Sequence, residues 1–189
     1  MESLLLYEHE LGREYLFDGK IIRLRVDRVS LPNGKEAVRE VVEHDGAVAI
    51  LPVDAHKHVY LVKQFRKPVE SVVSEAPAGK LEKSETPIEG AKRELREETG
   101  LFGGTIFELG YIFTTPGFCD ERIHLFLVCE PDNGSNDPDQ DEFLNIERIP
   151  WKDFLVDCRE GKIIDSKTLA LAFRAETKVE AYFSDKQYR

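Results

Sequence analysis

Cysteine is scarce in this chain: three residues, Cys119, Cys129 and Cys158, out of 189. Their odd number and wide spacing exclude a disulfide framework and match no zinc-ligand spacing, so they read as reduced thiols. No apolar run approaches the roughly 20 residues of a membrane span. The opening MESLLLYEHE has no basic segment ahead of its short apolar run, so no export leader is expected there. Internal repeats, low-complexity tracts and long linkers are missing too. Positive charge is in deficit, with 26 Lys and Arg against 36 Asp and Glu and a net charge of −10. That balance argues against a nucleic-acid backbone as partner. It leaves room for a small phosphate ligand, whose charge a bound metal can offset. The expectation is a soluble, cytoplasmic protein with no membrane partner and one main domain.

What the chain does have is a concentrated acidic stretch, GKLEKSETPIEGAKRELREETGL, from Gly79 to Leu101. Thr86 suits a helix N-cap, Pro87 the first helical position, and Glu89 completes a capping box with Thr86. Gly100 is the natural stop, because it can take the left-handed conformation that ends many helices. Within that helix Glu94, Glu97 and Glu98 lie three and four apart, on adjacent rows of one face. Like charges so placed destabilise a helix by about a few tenths of a kcal/mol per pair. A hard divalent cation such as Mg²⁺ would remove the repulsion, since it takes carboxylate and phosphate oxygens. The plain alternative is a solvated face relieved by Arg93 and Arg96.

The rest of the chain reads as strands first and helices last. Residues 13–18 and 20–30 flank the hairpin-type turn Asp18-Gly19. Ile22, Leu24 and Val26 alternate with Arg23, Arg25 and Asp27, which predicts a strand with its apolar side covered. Residues 36–43 give a third strand. Together these form a small N-terminal antiparallel sheet, residues 1–44, with too few strands to stand alone. It is expected to pack on the main domain, residues 45–189, or on a second copy of the chain. Residues 47–53 and 58–62 read as central strands, with His56 and His58 exposed at the turn between them. Strands are also expected over 105–114, 122–130 and 143–149, and an exposed polar loop over 131–140. A helix starts at Pro150-Trp151, and Asp165 or Ser166 caps a last helix with Leu169, Ala172 and Phe173 on one face. The class is α/β, with a mixed sheet flanked by helices.

The spacing of the acidic stretch carries a resemblance. Gly79, five residues, Glu85, seven residues, then Arg93-Glu94-Leu95-Arg96-Glu97-Glu98-Thr99-Gly100-Leu101 matches the Nudix signature at every defining position. Pro116 falls fifteen positions after Leu101. It resembles a mark of the ADP-ribose pyrophosphatase subfamily. So do Arg39-Glu40-Val41-Val42-Glu43-His44, Lys63-Gln64-Phe65-Arg66 and Glu75-Ala76-Pro77-Ala78-Gly79. The resemblance implies a Nudix α/β/α sandwich and metal-dependent hydrolysis of ADP-ribose to AMP and ribose 5-phosphate. It also implies two to three Mg²⁺ ions, with Mn²⁺ as a substitute, and a homodimer.

Residue by residue, the resemblance makes Glu94, Glu97, Glu98 and Glu142 metal ligands, joined by the backbone carbonyl of Ala78. Arg93 would brace the helix, and Glu85 would position the Gly79 loop. Arg66 and Arg39 would face the diphosphate and terminal ribose, Arg39 across the dimer. Glu40, Glu75 and Glu121 are candidates for ribose or adenine contacts, and Pro116 joins the substrate-binding set. The sequence departs from the subfamily at Gln140, where a glutamate is expected as general base. Asp139 or Asp141 serves instead, or Glu142 does both jobs, or metal-activated water needs no side-chain base. Glu97 and Glu98 complete the catalytic candidates. The aromatic that stacks the base could be Tyr15, Phe17 or another. Other nucleoside diphosphate sugars, such as GDP-mannose or ADP-glucose, remain rival substrates, and a non-catalytic ADP-ribose sensor is the rival class.

Overall fold

Alternating polar and apolar residues at the start of the chain form three antiparallel strands in sequential order. They are β1 (His9–Asp18), β2 (Ile22–Ser30) and β3 (Glu36–His44). The structure is a computed structural model that describes residues 6–134 and 143–186. The chain up to Asp45 and the segment Phe113–Arg122 form one compact unit, and the remainder forms a second.

In the first unit the covered side of β2 is not the one its apolar alternation predicts. Asp27 is 7 % exposed, whereas Ile22 is 39 % exposed. Cross-strand charge pairing is the reason. Arg25 bonds Asp27 at 3.1 Å and also reaches Glu43, Arg23 lies 3.1 Å from Glu43, and Arg13 lies 3.4 Å from Asp27. Two covered carboxylates are thereby each matched by guanidinium groups, which makes their burial tolerable. The Pro116 segment runs beside β3: Val42 N–H donates to Phe118 O at 2.7 Å, and Asp120 N–H donates to Val42 O at 3.1 Å.

The second unit is built around a strand that is buried along its whole length, β4 (Ala47–Val53). It is followed by β5 (His58–Arg66), a 3-10 turn, β6 (Ser71–Glu75), β7 (Ala78–Lys80) and α1 (Pro87–Thr99). Then come β8 (Leu101–Phe102), β9 (Thr105–Phe113), β10 (Arg122–Cys129), β11 (Asp132–Asn133) and β12 (Leu144–Pro150). Two helices close it, α2 (Trp151–Arg159) and α3 (Ser166–Lys186). The main sheet runs β12-β5-β4-β10-β9, with β6 beside β5 and β7 beside β4. The β4–β10 pairing is parallel and β12–β5 antiparallel, so the sheet is mixed.

Period-two alternation along β4 divides the core in two. Val48 and Ile50 join Leu95 of α1 on one side, while Ala49 and Leu51 join Trp151, Phe154 and Leu171 on the other. Helices thus cover both faces of the sheet, the sandwich layering expected from the sequence. Two details differ. His56 is exposed in the turn, but His58 opens β5 and is half-buried, with Arg148 Nη2 3.3 Å from its Nδ1. Within the 131–140 loop, Asp132 and Asn133 pair with β8.

The rotation of α3 also departs from expectation. Leu171, Ala172, Ala175 and Val179 are buried, and Phe173 is 83 % exposed. The helix start fixes this rotation. Asp165 Oδ2 accepts the Thr168 N–H at 3.0 Å, and the Thr168 hydroxyl accepts the Ala76 N–H at 2.7 Å. With Thr168 pinned to the sheet, residues three, four, seven and eleven further on face inward. Leu171→Ala is therefore expected to cost about 2–5 kcal/mol of unfolding free energy. Phe173→Ser is expected to change it by less than about 0.5 kcal/mol. Urea unfolding of both variants checks this, and similar losses would contradict the assigned rotation.

Candidate active site on the acidic helix

The acidic helix forms as its sequence dictates. Glu89 accepts the Thr86 N–H at 2.9 Å in a complete capping box, and Pro87 takes the first helical position. Gly100 ends the helix at φ 72°, its N–H donating to Arg96 O at 2.8 Å. Leu95 and Ala91 bury their side chains against the sheet. That orientation carries Glu94 and Glu98 inward, to 8 % and 2 % exposure, and leaves Glu97 half-exposed. Carboxylates so buried need cationic or hydrogen-bonding partners.

Arg93 is one such partner. Its Nη1 donates to Glu94 at 2.6 Å and Glu97 at 2.9 Å. Its Nε and Nη2 grip the two oxygens of Glu85 at 2.9 and 3.0 Å, and Nη2 also donates to Lys80 O at 3.0 Å. The Glu85 hydrogen bond, with Glu94 and Glu97 behind it, raises the Arg93 pKa against the cost of burial. In return Arg93 holds the Glu85 carboxyl below its ordinary range. Glu85 accepts the Glu82 N–H at 3.0 Å as well, fixing the turn that leads into the helix.

Opposite the helix face lies the backbone of Ala78 and Gly79. Ala78 N–H donates to Glu98 Oε2 at 3.0 Å. A Cβ on Gly79 would overlap the Glu94 carboxylate, so glycine lets that carboxylate lie against the strand. Glutamate carboxylates are hard oxygen donors, the ligand chemistry that fits a hard divalent cation. Among the described residues no three Asp, Glu, His or Cys side chains yet enclose an ion position.

Next to this face, Arg66 Nε donates to Glu75 Oε1 at 2.8 Å. Burial opposes the Arg66 charge, but Glu75, and beyond it Glu98 and Asp165, outweigh that and raise its pKa. Glu75 is 2 % exposed, and Lys167 engages its second oxygen. Glu75 was expected to touch ribose or adenine. With both oxygens in use and almost no exposure, it stands behind Arg66 as a support.

The remaining expected residues fall elsewhere. Arg39, Glu40, Pro116 and Glu121 belong to the first unit. Arg39, Glu40 and Pro116 are exposed, and Arg39 Nε donates to Glu8 at 3.0 Å. Glu121 accepts the Thr114 hydroxyl at 2.9 Å and lies 3.7 Å from His44 Nδ1. Asp139, Gln140, Asp141 and Glu142 lie outside the described residues. Sequence reasoning missed Lys167. A lysine in the first turn of a helix opposes the helix dipole, and that local misfit was the available signal of a buried acidic partner.

The NUDIX domain profile matches residues 43–171, and a nucleoside diphosphate sugar hydrolase N-terminal domain profile matches residues 8–42. The chain is 42 % identical over 165 residues to an ADP-ribose pyrophosphatase of Bacillus subtilis (strain 168), spanning 86 % of this chain and 89 % of that protein. It is 40 % identical over 168 residues to a methanol dehydrogenase activator of Bacillus methanolicus, spanning 87 % and 90 %. A solved structure described as an ADP compounds hydrolase superposes with a TM-score of 0.82 over 94 % of this chain and 97 % of that one. At 20 % identity that likeness speaks to the fold alone. A profile match across more than half of the chain, with the acidic helix inside it, makes this protein a member of the Nudix family.

Proposed function

We propose that this Nudix protein is a metal-dependent pyrophosphohydrolase that cleaves ADP-ribose to AMP and ribose 5-phosphate. The observation that carries the reading is the convergence of Glu94 and Glu98 on the Ala78–Gly79 backbone. The B. subtilis relative at 42 % identity, itself named an ADP-ribose pyrophosphatase, supports the substrate.

Glu94, Glu97, Glu98 and Glu142, with the Ala78 carbonyl, would hold two to three Mg²⁺ or Mn²⁺ ions. Bound there, such ions supply charge neutralisation of the diphosphate and activation of the attacking water. Arg93 keeps Glu94 and Glu97 gathered. Arg66 offers its Nη groups to the diphosphate while Glu75 fixes the guanidinium through Nε. The water's proton passes to a carboxylate, for which Glu97, Glu98, Glu142 and Asp141 are the candidates. Arg39, Glu40 and Glu121 would contact the ribose and adenine, with Pro116 shaping the loop that ends at Glu121. A homodimer through the N-terminal sheet would bring Arg39 to a neighbouring site. The exposed Leu11, Tyr15 and Phe17 of β1 support that assembly.

Phosphate-ester hydrolysis across ADP-ribose, ADP-glucose and GDP-mannose with Mg²⁺ tests the reading. ADP-ribose is expected to be the best substrate, with kcat/KM falling by roughly 10²-fold or more in Glu98→Gln. Preference for another sugar would move the substrate, and tight binding without turnover would favour a sensor. Gly79→Ala provides an independent check on the geometry. Its methyl displaces the Glu94 carboxylate, so kcat is expected to drop by roughly tenfold or more. Unfolding free energy should change by about 1 kcal/mol or less, because a flexible side chain gives way and not backbone. Unchanged turnover would contradict the placement of Glu94.

A further inference from the structure

The N-terminus of α3 reaches the candidate active site through a line of alternating charges. Asp165 accepts from Lys167 Nζ at 3.0 Å, Lys167 also donates to Glu75, and Glu75 accepts from Arg66 Nε at 2.8 Å. Exposure falls away behind the guanidinium: the Arg66 side chain is 42 % exposed, while those of Glu75 and Lys167 are 2 % and 11 %. Among the described residues the Arg66 Nη groups make no hydrogen bond, so its outward edge keeps its donors. The backbone beside Glu75 is held by the same helix turn, through the Ala76 N–H to Thr168.

We propose that Lys167 is a positioning residue for the diphosphate of the substrate. It acts through Glu75 on Arg66. The inference rests on the reading of Arg66 as a diphosphate-binding residue. A carboxylate bonded by Arg66 alone could rotate about its side-chain torsions and carry the guanidinium with it. Lys167 takes the second Glu75 oxygen, so the carboxylate plane is set from the buried side and Arg66 is held by Nε. The Nη edge then meets a diphosphate with its orientation already fixed, which lowers the ordering cost of binding. Lys167 itself does not reach the ligand. A merely structural lysine would stabilise the fold without altering what Arg66 contributes to affinity.

The test is calorimetric binding of ADP-ribose in EDTA, with unfolding midpoints measured alongside. EDTA removes turnover, so the comparison is independent of whether the protein hydrolyses this ligand. Lys167→Met is expected to weaken binding by about tenfold, the scale of one well-placed charge-assisted bond. Lys167→Arg should recover to within about threefold of wild type, since a guanidinium can engage the same oxygen. Arg66→Gln should lose at least as much as Lys167→Met. The Arg66→Gln/Lys167→Met pair should lose no more than Arg66→Gln alone, because residues acting in series are not additive. Affinity unaffected by Lys167→Met, or losses that multiply in the pair, would overturn the proposal.

Removing one partner of a buried ion pair strongly destabilises a protein, whereas removing both is often tolerated. Glu75→Gln/Lys167→Met therefore keeps the test decisive if Lys167→Met fails to fold. It is expected to fold and still bind about tenfold more weakly than wild type. Wild-type affinity in that variant would mean that Lys167 serves only to neutralise Glu75, and would equally overturn the proposal.

Discussion

The arrangement of this protein's site depends on Arg93. Its guanidinium makes five hydrogen bonds, to both oxygens of Glu85, to Glu94, to Glu97 and to the Lys80 carbonyl. Those partners come from three places: the turn before the helix, the acidic helix itself, and the end of β7. One side chain therefore joins the loop to the helix and brings like charges together that would otherwise repel. A lysine could not do this, since its single ammonium has no planar fork to grip Glu85 while reaching two further carboxylates. Arg93 bonds Glu94 and Glu97, while Glu98 Oε2 accepts from the Ala78 N–H and the Glu94 carboxylate lies against Gly79.

The sheet supplies the other half of the frame. Antiparallel pairing of β7 with β4 sets Ala78 opposite Ala49 and Gly79 opposite Val48, fixing the backbone that faces the carboxylates. Pairing of β5 with β6 sets Glu75 opposite Val62, from which Arg66 can reach back to it. The helix behind the sheet, α3, closes the frame from its own N-terminus through Thr168 and Lys167. Helices on opposite faces of one sheet thus converge on the short stretch between Glu75 and Lys80. Rigid elements on both sides of a site hold functional groups more closely than loops do.

Much of this was legible in the sequence because it is local. The capping box at Thr86, the stop at Gly100 and the spacing of Glu94, Glu97 and Glu98 are written within one turn or two of helix. The seven apolar residues of β4 announce a central strand in the same way. What was not legible depends on partners far away in the chain. Asp27 is covered only because arginines from two strands meet it, so apolar alternation misjudged β2. Phe173 looked like a core residue until Thr168, bonded to Ala76, set the helix rotation. The segment 113–122 clusters with the N-terminal strands through Val42, a pairing that no spacing rule announces. Lys167 and Glu75 are 92 residues apart, and nothing in either neighbourhood names the other.

The carboxylate face of α1 is proposed as a divalent-cation site and not a solvated surface. Thermal unfolding against increasing Mg²⁺ or Mn²⁺ tests it most directly, since a ligand that binds only the folded state raises Tm in proportion to log concentration. A rising Tm is expected for wild type and a flat response for Glu94→Gln/Glu98→Gln. A wild type that ignores the metal, or a double variant that responds equally, would contradict it.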